Sequence, residues 1–175
     1  YCYKAEFSAE ETQSIIKTIW EICGTRCEIT ADTLEHHYWN YKVVPSKKDS
    51  SWGESIYTDF SDFNQSTLKI CAEIFDLQEA ERLKRRLINC DCIRFSDGFW
   101  YKFTRKGITK ETAIWKVCGA CGILPEEITA FGDDLADIGM LRLCGTGIAM
   151  GNAAPEAKAA ADLVIGTNEE DGIAE

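Results

Sequence analysis

The chain has 175 residues, 29 acidic against 19 basic side chains and a formal charge of -10, with apolar and charged fractions of 45% and 27%. That length supports one good core or two small ones, and the acidity argues against a nucleic-acid binder, which needs clustered Lys and Arg along a phosphate track. The densest basic stretch, ERLKRR at 81–86, reads as the wet face of a helix. No apolar run approaches the ~20 residues of a membrane span, and no basic-then-apolar leader opens the chain. The expectation is a cytoplasmic protein with no nucleic-acid and no membrane partner.

In chain order, YCYKAEF alternates like a strand, and Ser8 with Glu11 forms a capping box ahead of the apolar series Ile15, Ile16, Ile19, Trp20, Ile22, a helix that Gly24 stops. The stretch 31–65 shows strand-like YWNYKVV and SIYTDF interrupted by PSKKDSS, read as an exposed loop. STLKICAEIF at 66–75 places Leu68, Ile70, Ala72 and Ile74 on one face of a strand, QEAERLKRRL is a polar-rich helix, and CDCIRFSDGFWYKF is a hairpin turned at Asp97-Gly98. Residues 1–104 therefore read as an α+β domain. Aromatics are plentiful there, and the two histidines, His36 and His37, are expected on opposite faces of a strand at the surface.

From about 105 to 175 helix and strand alternate: a helix from Thr109 to Cys121, strand ITAF, helix LADIGMLRL, strand GIAM, helix APEAKAAA and strand LVI. This spacing predicts an α/β unit, a parallel sheet with helices on its faces. Ligands of such sheets sit beyond the carboxyl ends of the strands, where AFGDDLADIGM places Asp133, Asp134 and Asp137. Clustered carboxylates on such a loop suit a hard cation such as Mg²⁺; the plainer alternative is that Asp133 or Asp134 caps the next helix.

Nine cysteines, at 2, 23, 27, 71, 90, 92, 118, 121 and 144, follow apolar positions of these elements and are expected as reduced, buried thiols. CGTRC, CDC and CGAC make a zinc site conceivable, but zinc requires four converging ligands and CGAC lies in a helix with Ile114, Trp115 and Val117 on its apolar face. CGAC also closes its helix rather than opening it, the wrong end to lower a thiol pKa.

The run from Lys106 to Glu175 resembles the C-terminal half of the haloacid dehalogenase (HAD) superfamily phosphatases of the Cof-type subfamily IIB. It shows in order a lysine at a helix start, GDDLADIGM, GIAMGNAAPEAK and EDGIA. The preceding α+β domain resembles the cap of that subfamily. The resemblance implies a Rossmann-like core at 105–175 under a cap at 1–104, and a Mg²⁺-dependent hydrolase of a small phosphorylated metabolite such as a sugar phosphate. It implies Lys110 as the lysine that neutralises phosphoryl oxygens, Asp133 as a metal ligand, Asp137 as the group that orients Lys110 or a metal-bound water, and Asn152 as a pocket residue.

Two departures accompany the resemblance. Ala136 stands where the family carries an Asn, and no DxD nucleophile block follows an apolar strand in these residues, so the nucleophile is expected before Tyr1. Without it the chain by itself is expected to be inactive, a fragment or a pseudoenzyme that acts by binding. The sheet would then have an open central edge, which predicts a dimer, a strand swap or a companion N-terminal segment.

Overall fold

The computed structural model describes residues 4–41, 55–96 and 98–174. The chain divides into two compact units, Tyr1–Arg94 with Phe99–Lys106, and Phe95–Gly98 with Gly107–Glu175.

The first unit opens with helix α1 (Ala9–Cys23). Its capping box forms as expected: Ser8 Oγ accepts from the Glu11 amide at 3.2 Å and the Glu11 carboxylate accepts from the Ser8 amide at 2.8 Å. Two of the donors that open a helix are thereby satisfied. The helix ends at Gly24, whose φ of 85° is a conformation that a residue with a Cβ rarely adopts.

Six strands follow: β1 (Ile29–Asp32), β2 (His37–Trp39), β3 (Ser55–Tyr57), β4 (Lys69–Glu73), β5 (Cys90–Arg94) and β6 (Trp100–Arg105), in the sheet order β3-β2-β1-β4-β6-β5. All neighbours are antiparallel except β2 and β3, which are parallel. Helix α2 (Leu77–Arg86) starts at Asp76, whose side chain accepts from the Gln78 amide at 2.8 Å. Ile29, Ala31, Ile70, Ala72 and Phe103 of the sheet are fully buried with Ile19 of α1 and Leu83 of α2 in one cluster. Each large side chain there contributes about 1.5–3 kcal/mol by leaving water.

Several sequence expectations change in detail. YCYKAEF is reduced, among the described residues, to a single antiparallel bridge between Phe7 and Thr67, held because the Phe7 ring is buried. Strand β1, which no pattern in the sequence announced, shows no alternation, since Ile29, Thr30 and Ala31 are all buried. Of YWNYKVV, Tyr38 and Trp39 lie in β2 (His37–Trp39); its last three residues fall within 42–54, which, with the PSKKDSS stretch and Asp97 of the expected turn, lie outside the described residues. His36 is exposed ahead of β2, whereas His37 is half-buried, its Nδ1 bound to Asp32, which also pairs with Lys69 at 2.6 Å.

The second unit contains helix α3 (Lys110–Cys121), strand β7 (Thr129–Gly132), helix α4 (Ile138–Leu143), strand β8 (Thr146–Ala149), helix α5 (Pro155–Ala160) and strand β9 (Leu163–Val164). The strands form a parallel sheet in the order β7-β8-β9. Leu141, Ala149, Met150, Ala153, Ala154 and Ala157 make its small core. Helix α4 packs on β7 and β8, α5 packs on β8, and α3 packs on α4.

The parallel sheet with its helices is as expected. The row Phe131–Ile148–Leu163, on the face away from the small core, is only partly covered, with Phe131 38% and Leu163 55% exposed. The expected apolar face of α3 is also open: Trp115 and Val117 are 54% and 53% exposed and Cys118 is its one buried residue. Helix α3 meets its neighbours along a narrow stripe, so Cys121, expected to be buried, is exposed. Of the other described cysteines, Cys27, Cys71, Cys118 and Cys144 are buried, Cys23, Cys90 and Cys92 are half-buried, and all are free thiols.

Substituting Phe103→Ala should lower the unfolding free energy of the first unit by about 3–5 kcal/mol, read by urea denaturation followed by far-UV circular dichroism. A loss under about 1 kcal/mol would contradict the central place of β6 in this core.

Candidate active site

Strand β7 delivers Gly132 to its carboxyl end, and Asp133 and Asp134 leave the sheet there. A 3-10 turn (Leu135–Asp137) follows before α4, where a continuous helix was expected. The turn brings Asp137 back under the loop. Its carboxylate is 2% exposed, and it is the one buried charged side chain among the described residues.

A buried carboxylate is costly unless it is paired and hydrogen-bonded. Asp137 Oδ2 accepts from the amides of Asp133 and Asp134 at 3.0 and 3.1 Å, and Oδ1 pairs with Lys110 Nζ. Desolvation pushes its pKa upward, but the Lys110 ammonium and the two amides outweigh it, and the group lies below its ordinary value. The fit requires glycine at 132: a Cβ there would stand 2.5 Å from the Asp137 Cβ.

Lys110 is the first residue of α3, with Thr109 as its cap, Thr109 Oγ1 accepting from the Thr112 amide at 3.3 Å. A cation at a helix N-terminus opposes the helix dipole. The Asp137 ion pair offsets that unfavourable placement, and the lysine side chain stays half exposed, free to face a second anion.

Asp134 is the cap of the following turn, its carboxylate accepting from the Leu135 amide at 2.7 Å, so the capping alternative holds for Asp134. It also accepts from the Ser96 amide at 3.0 Å within the second unit, a contact that no sequence pattern announces because it joins residues 38 apart. Asp133 has no capping role. Its carboxylate is exposed, and partial desolvation with the negative charges of Asp137 and Asp134 pushes its pKa up, opposed by Lys110.

The loop after β8 lies against this one. The Met150 amide donates to Gly132 O at 3.0 Å and the Ala154 amide to Asp133 O at 2.8 Å. Asn152, between them, is exposed, and its carboxamide oxygen accepts from the Asn168 amide at 3.0 Å. The fold thus joins Lys110, Asp133 and Asp137 directly, while the Asn152 side chain is turned to the segment after β9. Ala136 is half-buried in the 3-10 turn. Among the described residues no group of three or more His, Cys, Asp or Glu gathers as metal ligands.

Gly132→Ala should destabilise the second unit by about 1–3 kcal/mol, and the same change in an Asp137→Gly background should cost much less, since the clashing Cβ is gone. Urea denaturation of the four proteins of this cycle measures the coupling, and additive effects would contradict the close approach.

The sequence matches the haloacid dehalogenase-like hydrolase family over residues 1–175. A putative phosphatase of Haemophilus influenzae is 36% identical over 107 residues, 61% of this chain and 41% of that protein. The pyridoxal phosphate phosphatase YbhA of Escherichia coli is 46% identical over 71 residues, 41% of this chain and 26% of that protein. The chain thus spans less than half the length of these curated relatives. A solved HAD subclass IIB sugar phosphatase superposes with a TM-score of 0.74 at 25% identity, over 98% of this chain and 66% of that one. A haloacid dehalogenase-like hydrolase from B. subtilis, at 20% identity and a TM-score of 0.75 over 97% of this chain and 70% of its own, shares the fold. By its full-length family match, its parallel sheet and its four motif blocks, the chain belongs to the haloacid dehalogenase-like hydrolases, of the Cof type.

Proposed function

We propose that this chain supplies the cation-binding and charge-neutralising side of a cytoplasmic, Mg²⁺-dependent phosphatase acting on a small phosphorylated metabolite, with sugar phosphates first among the candidates. The observation that carries this reading is one constellation at the end of a parallel strand: a buried Asp137 holding Lys110, beside an exposed Asp133 carboxylate that its own neighbours repel. Known phosphatases among its relatives, and a sugar phosphatase among its structural neighbours, support the substrate class.

Mg²⁺ takes oxygen ligands, keeps several waters and needs only one or two protein carboxylates. Asp133 fits that demand, since a bound cation offsets the desolvation and the neighbouring negative charges that together raise its pKa. When bound, the ion would supply charge neutralisation at the phosphoryl oxygens. Lys110, fixed by Asp137, presents its ammonium to the same oxygens, and Asp137 keeps that lysine from swinging away. Phosphoryl transfer depends mainly on such positioning and electrostatic stabilisation. With its oxygen occupied by the Asn168 amide, Asn152 has its carboxamide nitrogen as the donor for a phosphate oxygen. Ala136 offers no such donor.

An aspartyl phosphate requires a nucleophilic aspartate, and no DxD block occurs in these 175 residues. We place the strand that carries it beside β7, whose one described partner is β8, so that it comes from the same polypeptide, a strand-swapped dimer or a companion segment. The partly exposed row Phe131–Ile148–Leu163 supports further structure over this sheet, because parallel sheets are ordinarily covered on both faces. The second reading, binding without catalysis, follows if the native polypeptide holds no such strand and finds no partner that does.

Two measurements test the proposal. The polypeptide in its native source should be heavier than 19.6 kDa or co-purify with a chain bearing the nucleophile, and it should hydrolyse members of a phosphate-ester panel only with Mg²⁺. In that protein Asp133→Ala should lower kcat by about 100-fold or more, and Ala136→Asn should tighten phosphate binding. In the chain itself Mg²⁺ should raise the melting temperature, and Asp133→Asn should raise the metal-free value while abolishing the Mg²⁺ response. An unchanged Mg²⁺ response in Asp133→Asn would remove Asp133 from the metal site.

A further inference from the structure

Two cysteines that the phosphatase chemistry leaves unused meet where α1 ends. Cys23 is the last residue of the helix, Gly24 terminates it, and the Cys27 amide returns to the Gly24 carbonyl at 3.1 Å, so one hydrogen-bonded turn separates the two thiols. Cys27 is buried in the core of the first unit, and Cys23 packs half-buried against the same cluster. Cys27 Sγ lies 3.4 Å from the Glu73 carbonyl and 3.6 Å from the Glu28 carbonyl, and its interaction with the neighbouring Cys23 side chain lowers the Cys23 pKa while raising its own. Both are free thiols beside the same core cluster.

We propose that Cys23 and Cys27 form a redox-active dithiol, oxidised by hydroperoxides to an intramolecular disulfide. The two positions differ in the way such a pair requires. Cys23 is the more accessible sulfur, and the Cys27 S–H bond holds its pKa below the ordinary thiol value against desolvation and Glu79, with help from Arg82. Cys27 is pushed up by the same bond and by burial. Burial raises Cys90 and Cys92 to about 11 and about 12, and raises Cys71 and Cys144 as well, so Cys23 carries the most thiolate of these thiols.

The chemistry balances in two steps. The Cys23 thiolate attacks the terminal peroxide oxygen, the O–O bond breaks, an alcohol or water leaves after protonation, and Cys23 becomes a sulfenic acid. The Cys27 sulfur then attacks the Cys23 sulfur; the S–O bond breaks, and the departing hydroxide takes the Cys27 proton as water. Two thiols have lost two electrons to one hydroperoxide, and exchange with an external thiol restores them. None of this depends on Asp133 or Lys110, so it stands or falls apart from the phosphatase reading.

The sequence makes the product easy to trace, because Arg26 lies between the two cysteines and tryptic cleavage at Lys17, Arg26 and Lys42 separates them. The reduced full chain should be treated with stoichiometric hydrogen peroxide, alkylated, digested and mapped without reductant. The expected product is peptide 18–26 joined to peptide 27–42, lost on reduction and absent from Cys23→Ser. Cys27→Ala should slow iodoacetamide alkylation of Cys23 at neutral pH by about threefold or more, because the S–H donor that favours its thiolate is gone. A disulfide mapped to Cys90–Cys92 or Cys118–Cys144, Cys23 recovered only as its unpaired oxides, or an unchanged alkylation rate in Cys27→Ala would each overturn the proposal.

Discussion

The buried carboxylate of Asp137 sets the terms for everything around it in the second unit. Left alone, that charge would be among the most expensive groups in the protein. Its solution requires the amides of Asp133 and Asp134 at one oxygen and Lys110 at the other, and each partner constrains the chain. The amides require a 3-10 turn in place of the first turn of a helix, and the turn requires a glycine at 132. The lysine must start a helix, the end at which its charge is least favourable. These departures from local preference coincide at one point.

Asp133 and Asp134 show how neighbouring residues of one type divide the work. Asp134 turns back to cap the chain and is held by the Leu135 and Ser96 amides. Asp133, one residue earlier, receives no such help and keeps an outward carboxylate in a negative surrounding. The loop after β8 reinforces the arrangement through backbone bonds to Gly132 and Asp133, so the position of Asp133 rests on main-chain geometry and not on its own side chain.

The two units differ in how fully they bury themselves. The first has a six-stranded, largely antiparallel sheet with two helices and a core rich in Ile and Phe. In the second, three short parallel strands and an alanine-rich core leave Trp115, Val117, Leu163 and Val164 more than half exposed. Parallel strands need cover on both faces, and the described helices cover one. The first unit also sequesters its thiols beside the core, which lets Cys23 and Cys27 differ in accessibility though only a turn apart.

By itself the sequence determined the local elements and named the candidate residues. The capping box at Ser8, the terminator at Gly24 and the parallel βα order after residue 107 are written in near neighbours, where backbone preference and side-chain hydrogen bonds act within a few residues. The four motif blocks named Lys110, Asp133 and Asp137 for the same reason, since each block is a short run. Only the tertiary structure decided the rest. The pairing of Lys110 with Asp137 spans 27 residues, strand β1 is legible only once packing buries Ile29, Thr30 and Ala31 alike, and Cys121 and Trp115 are exposed because α3 meets α4 along a narrow stripe. Long-range contact and burial depend on which surfaces meet, and no local pattern encodes that.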